Sequence, residues 1–205
     1  MLTKEEAEKI LTPYYPEFSD CIKSAWEDYK TFFQPQQYRF EIRTRASVVR
    51  DLVVDYIRKK FYKRKSTNII EKTNGLFILS IEDTIFARFK KIKSDFTTSN
   101  ILTQQTLQFV NGELFPEYLK KALVNVGYMV DKDWDKQLGS YICCPNGNSS
   151  YLWYLDIGRN DLIDQKNLIN LDFDDETDLD EINEIKKILN PKEVEKISTK
   201  KSKTN

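Results

Sequence analysis

Any chemistry in this chain has to be done without histidine, because its 205 residues contain none. That excludes a Ser-His-Asp triad, a Cys-His pair, a His-bearing zinc site and an HExxH peptidase. Metal-dependent phosphodiester cleavage remains open, since it can run on carboxylates and lysine alone. It needs an acidic residue near one strand and Glu-x-Lys or Asp-x-Lys on the next. The matches are Asp28-Tyr29-Lys30, Asp164-Gln165-Lys166 and Glu184-Ile185-Lys186, and none falls on an expected strand. Glu82 and Asp83 sit at an expected turn, and Glu41 lies between Arg39 and Arg43, placed for ion pairing. A metal-dependent nuclease is therefore the third-ranked reading. Cys143 and Cys144 are neighbours on an expected strand and point to opposite faces, one into the core and the other outward or under the acidic segment. With only Cys21 besides, they cannot complete a four-cysteine zinc site. There is no GxxxxGK[ST] and no GxGxxG. No catalytic residue, metal or cofactor is expected.

Binding chemistry is more evident. The zero formal net charge averages two opposed segments. From Arg39 to Lys93 there are 15 basic and 6 acidic residues, and from Asp156 to Glu184 there are 2 basic and 11 acidic. Such segregation bears on partners more than on fold. The candidate partner- or phosphate-binding residues are Arg43, Arg45, Arg50 and Arg58 on a helix, Arg88 and Lys90 on a hairpin, and Tyr151 and Trp153 on a strand. If the helix and hairpin cations share a face, they suit phosphates or an acidic protein surface. An exposed aromatic row suits base stacking or a protein hot spot. The alternative is a solvated helix face, lysines guarding a sheet edge, and aromatics in the core. Strand alternation puts Tyr151 and Trp153 on one face, and Leu152 and Tyr154 on the other. The acidic run with embedded Leu171, Phe173 and Leu179 suits docking on the basic face in cis, or a basic partner in trans.

The elements that position these residues follow from pattern. Thr3-Lys4-Glu5-Glu6 reads as a capping box opening a helix over 4–11 that ends at Pro13. Pro16 opens a second helix, carrying Phe18, Cys21, Ile22, Ala25, Trp26, Tyr29, Phe32 and Phe33 to Gln34-Pro35. Residues 37–43 alternate and predict a short strand. Val48, Val49, Leu52, Val53, Tyr56, Ile57 and Phe61 form the apolar stripe of a third helix. The period then falls to two. Strands are expected over 76–81 and 84–92, joined at Glu82-Asp83, and again over 123–130. Short helices are expected from Thr103 and from Pro116. A last hairpin, 140–145 with 150–157, turns at Asn146-Gly147-Asn148. Leu179, Ile182, Ile185, Ile188 and Leu189 predict an amphipathic helix before Pro191.

The expected architecture is α+β: N-terminal helices packed on an antiparallel sheet of about five strands, with an acidic, partly disordered C-terminal tail. Residues 1–157 form one domain, 158–190 an acidic linker with a short amphipathic helix, and 191–205 a disordered basic tail. Hydrophobic residues at 40% and charged residues at 31% suit a globular chain. A folded part of this size buries about 70% of its unfolded surface and needs no disulfide framework. Met1 leads into Leu2-Thr3-Lys4-Glu5-Glu6 and no long apolar run follows, so neither a signal peptide nor a membrane span is expected. With an odd cysteine count, a cytoplasmic location is expected.

Two stretches carry a resemblance. One is Arg39-Phe40 through Arg45 leading into Asp51-Leu52-Val53-Val54; the other is Ala87-Arg88-Phe89-Lys90-Lys91, then Thr98-Ser99-Asn100-Ile101 with Thr103 and Gln105, then Val126-Gly127-Tyr128-Met129-Val130. Over residues 38–157 the chain is similar to an uncharacterised group of bacterial and phage proteins. These are often encoded beside a helix-turn-helix protein or an ImmA-type metallopeptidase, in pairs proposed to act as toxin–antitoxin or phage-defence modules. The resemblance implies a non-catalytic, antitoxin-like or regulatory protein whose partner is the product of a neighbouring gene. Nucleic-acid binding through the basic helix and hairpin is the alternative.

Overall fold

The computed structural model describes residues 2–71, 75–98, 122–147 and 150–159. Three helices come first, and a six-stranded sheet in the order β1-β2-β3-β4-β5-β6 follows. The class is α+β.

Helix α1 (Lys4–Leu11) opens with the expected capping box: the Glu6 N–H donates to Thr3 Oγ1 at 3.3 Å and the Thr3 N–H donates to Glu6 Oε2 at 2.9 Å. Helix α2 (Tyr15–Phe32) has Pro16 in its first turn and buries Phe18, Ile22, Ala25, Trp26 and Tyr29, one face at helical spacing. Helix α3 (Ile42–Phe61) buries Val49, Val53, Ile57 and Phe61. The two long helices are tied by Tyr56 Oη donating to Asp28 Oδ2 at 2.7 Å, and Arg64, just past the end of α3, pairs with Glu17 of α2 at 2.6 Å.

Residues 37–43 are not a strand. Gln34–Arg39 is a 3-10 turn with Pro35 at its start, and α3 begins at Ile42, six residues before the apolar stripe. The turn is held by side chains. Gln34 Nε2 donates to the Trp134 carbonyl and to Asp135 Oδ1, both at 3.2 Å. Gln37 Nε2 donates to the Asp133 carbonyl at 3.3 Å. The apolar alternation there has no core behind it, because Tyr38 and Ile42 both face solvent.

Strand β1 (Thr67–Glu71) pairs antiparallel with β2 (Phe77–Ile81). Its sequence, TNIIE, is too short and polar to declare itself, and it forms one edge of the sheet. β2 returns into β3 (Ile85–Lys91) through Glu82 and Asp83, at φ 48° and 51°. Two consecutive left-handed residues give the turn whose twist suits a hairpin, here without glycine. β4 (Ala122–Val130), β5 (Gln137–Asn146) and β6 (Ser150–Arg159) complete the sheet.

Two expectations about the sheet are corrected. Among the described residues it has six strands, and it is mixed: β3 and β4 run parallel, from Ile85↔Ala122 to Lys91↔Tyr128. A tight turn dictates antiparallel pairing, whereas a strand reached through a long connection is free to align either way. Most of that connection, with the helices expected from Thr103 and Pro116, lies outside the described residues. So do the expected tail helix and the terminal segment.

The helices cover one face of the sheet, where Phe77, Ala87, Phe89, Val126, Ile142 and Trp153 join the main core with Phe18 and Val53. The other face carries two smaller apolar clusters, one around Ile78 and Phe86, the other around Met129, Tyr141 and Cys143. Gly127, on β4 opposite Lys90 of β3, has no room for a side chain: a Cβ there would collide with the Lys90 carbonyl. Among the described residues, no helix is long and apolar enough to cross a membrane.

Candidate functional site

The expected cations are divided between the two faces of the sheet. Arg43, Arg45, Arg50 and Arg58 lie on α3, which packs on the main core through Val49, Val53 and Ile57. Arg88 and Lys90 alternate along β3 with Ala87 and Phe89, which enter that same core, so they leave the sheet on the opposite side. A single basic face is therefore not formed.

Most of the α3 arginines serve local structure. Arg58 reaches Glu71 Oε1 at 2.8 Å and Asp55 Oδ1 at 3.8 Å, and lies over the Phe77 ring, clipping α3 to β1 and β2. Arg45 Nε donates to the Phe40 carbonyl at 2.9 Å, closing the entry to α3. Arg50 pairs with Asp51 at 2.8 Å and donates to the Gly75 carbonyl at 3.0 Å, at the start of β2. Arg43 is exposed in the first turn.

Arg50 is also the link between the two groups. Burial, then the charges of Arg88 and Arg50, push the Lys90 ammonium down to about 7. Burial and Arg50 push Arg88 down to about 10. The end of β3 thus concentrates positive potential within a half-buried setting.

Tyr151 and Trp153 do not share a face. The register jumps from Cys144↔Trp153 to Pro145↔Tyr151, so Leu152 is the extra residue of a β-bulge. The bulge breaks the alternation that the expectation relied on. Trp153 enters the main core at 8% exposure and its indole N–H donates to the Leu2 carbonyl at 3.3 Å. Tyr151 joins Tyr154, Tyr141 and Phe96 on the sheet face opposite α2 and α3, where Phe96 and Tyr154 stack at 3.8 Å between centroids. Phe96 holds a φ of 61°, a strained position for an aromatic residue, which this ring packing offsets.

The thiols are set against nucleophilic chemistry. Cys143 and Cys144 point to opposite faces as expected, but both are buried, one in each apolar cluster. Burial pushes Cys143 up to about 12, and Cys21 and Cys144 up to about 11, so all three are protonated near neutrality. Of the nuclease-like triplets, Asp28-Tyr29-Lys30 lies on α2, with Asp28 bonded to Tyr56 and Lys30 to Glu27. The other two lie outside the described residues. Among the described residues, no three His, Cys, Asp or Glu are grouped to hold a metal ion.

The surface that sequence reasoning missed is the α2–α3 connection. Phe32 is 66% exposed, Tyr38 74% and Ile42 51%, three large apolar side chains within eleven residues. Arg39 and Arg43 lie among them, and Arg39 lies over the Tyr38 ring at 5.7 Å. A signal for this surface was present in Phe32-Phe33. Adjacent helical residues diverge by 100°, and Phe33 stacks on Tyr29 while Phe32 faces solvent.

No family model matches the chain, and no curated protein or solved structure matches it either.

Proposed function

We propose that this chain is a non-catalytic protein-interaction module, the antitoxin-like or regulatory member of a bacterial or phage toxin–antitoxin or defence pair, whose partner is encoded beside it. The observation that carries this reading is the α2–α3 connection. Tyr38 stands in solvent with Arg39 over its ring, on a 3-10 turn that Gln34 and Gln37 fasten to residues 133–135, and Phe32 and Ile42 are exposed on the helix ends that flank the turn. Exposed apolar groups that do not belong to a core mark interaction sites when they are grouped. Aromatic residues with arginine are the composition of binding hot spots. With its backbone held in place before binding, the turn loses little backbone entropy on association. The partner chemistry that fits is an acidic protein segment with apolar residues interleaved.

Coexpression with the neighbouring gene's product tests it. A complex that copurifies with the wild-type chain and is lost in Tyr38→Ala/Arg39→Ala is expected. A chain that ignores that product in low salt as well as at physiological ionic strength contradicts the reading.

A second reading, nucleic-acid binding, is favoured by the potential that Arg50, Arg88 and Lys90 build at the end of β3. Affinity for DNA or RNA that falls steeply with salt, and falls further in Arg50→Ala, supports it. Salt-independent retention contradicts it. The exposed Arg39 and Arg43 would then be secondary phosphate contacts.

A further inference from the structure

The geometry points to a second interaction surface, at the end of α3 opposite the α2–α3 connection: the turn 62–65 binds single-stranded nucleic acid, with Lys60, Lys63 and Lys65 on phosphates and the Tyr62 ring stacked on a base. α3 runs from Ile42 to Phe61 and so separates the two surfaces by about 30 Å. The proposal does not depend on the protein-partner reading, and it uses none of Arg50, Arg88 and Lys90.

The first support is how the structure divides the charge. Residues 58–65 read Arg-Lys-Lys-Phe-Tyr-Lys-Arg-Lys, six cations without an acid. Arg58 takes Glu71 and Asp55, Lys59 takes Asp55 at 2.6 Å, and Arg64 takes Glu17 and lies over the Tyr14 and Phe61 rings. Lys60, Lys63 and Lys65 are all exposed, and among the described residues they make no ion pair. Glu82 abuts the segment, its N–H donating to the Ser66 carbonyl at 2.8 Å, but its carboxylate is turned to the Tyr14 hydroxyl. Asp20 shares the surroundings of Cys21 with Lys60, so Lys63 and Lys65 offer most of the uncompensated charge.

The second support is the turn itself. Cations in the last turn of a helix are ordinary, because they answer its partial negative charge. That accounts for Lys59 and Lys60, but not for Lys63 and Lys65, which lie beyond the helix. Tyr62 leaves α3 at ψ 125°, and Lys63 then holds φ 58°, a conformation in which glycine carries no Cβ strain and lysine does. The turn is fixed from beneath. The Arg64 N–H donates to the Phe61 carbonyl at 3.2 Å, the Thr67 N–H to the Arg64 carbonyl at 3.1 Å, and the Phe61 ring is buried. Tyr62 is 67% exposed, and its ring meets the Lys63 ammonium at 5.0 Å and, among the described residues, no other ring. A fixed turn with an open aromatic ring between lysines matches a single strand, in which every base has a face to stack and every nucleotide a phosphate.

Fluorescence anisotropy of a labelled oligothymidine of about 12 nucleotides, titrated with the full chain, tests this. Affinity should fall with salt at a log–log slope of about −2, from three phosphates at about 0.7 each. Lys63→Gln/Lys65→Gln should bring the slope to about −0.7. Lys30→Gln/Lys136→Gln, the same change of charge elsewhere on the surface, should leave it as it is. Tyr62→Ala should lose about tenfold in affinity with the slope kept, as expected for one stacked base. Lys63→Gly separates folding from binding: it relieves the left-handed strain, so it should melt no lower than the wild-type chain and still bind more weakly. No binding, or a slope unchanged in Lys63→Gln/Lys65→Gln, overturns the inference, and so does a loss confined to Arg50→Ala. Equal affinity for the oligothymidine annealed to oligoadenosine overturns the single-strand assignment. Cosedimentation with phosphatidylcholine–phosphatidylserine vesicles while the oligonucleotide stays free means a lipid surface and also overturns it. Failure here leaves the complex with the neighbouring gene's product intact, and loss of that complex leaves the oligonucleotide affinity unchanged.

Discussion

Lys90 shows most clearly what a single residue contributes. Its ammonium titrates near 7 because burial, Arg88 and Arg50 all disfavour its charge. An unfolded lysine keeps its proton to about 10.4. Between those two values the unfolded chain binds the extra proton, so the stability linked to Lys90 rises with pH from 7 upward. Below 7 the penalty is complete. Lys90→Met is expected to raise the urea midpoint at neutral pH, with the gain shrinking toward pH 10; a gain independent of pH contradicts the shift. Gly127 makes a steric prediction instead. Gly127→Ala forces its Cβ against the Lys90 carbonyl, a backbone atom that cannot swing aside. A loss of about 3 kcal/mol in chemical denaturation is expected, typical of strain within a packed element. Alternation along β3 revealed which way Arg88 and Lys90 point. Their depth was not legible, because it depends on what packs around that face.

Among the elements, helices were read from local signals and strands only partly so. The capping box at Thr3 and the stripe from Phe18 to Tyr29 are short-range codes, and α1 and α2 follow them. The 3-10 turn Gln34–Arg39 is set by a contact with residues 133–135, nearly a hundred positions away, which no local pattern can report. The bulge at Leu152 is likewise a property of the β5–β6 pair, and it alone separates Tyr151 from Trp153. The Glu82-Asp83 turn offers a test at this scale. Both residues are left-handed, a conformation in which glycine carries no Cβ strain. Asp83→Gly is expected to stabilise the chain by about 1 kcal/mol, read as a higher melting temperature; a lower one contradicts the turn. Gln34→Ala/Gln37→Ala should cost about 1–3 kcal/mol and loosen the connection. Hydrogen exchange at Gln36 and Phe40 reports that loosening.

At the scale of the molecule, the zero net charge conceals the organisation that matters. The sequence segregates its charge, and the fold divides the basic part again: α3 on one face of the sheet, Arg88 and Lys90 on the other, with Arg50 bridging them. The surface left most exposed is none of the basic residues first singled out except Arg43. It is the α2–α3 connection, where Phe32, Tyr38 and Ile42 are exposed and Arg39 lies over the Tyr38 ring. Charge runs were visible in the sequence, but exposed aromatics are not, since a core aromatic and a surface one look alike until the fold places them. The most direct measurement is a calorimetric titration of the neighbouring gene's product into the wild-type chain, Tyr38→Ala and Tyr62→Ala. Tyr62 is 67% exposed at the far end of α3 and serves as the control. The account predicts about a 30-fold loss of affinity, near 2 kcal/mol, for Tyr38→Ala alone. Equal affinities for Tyr38→Ala and the wild-type chain contradict it.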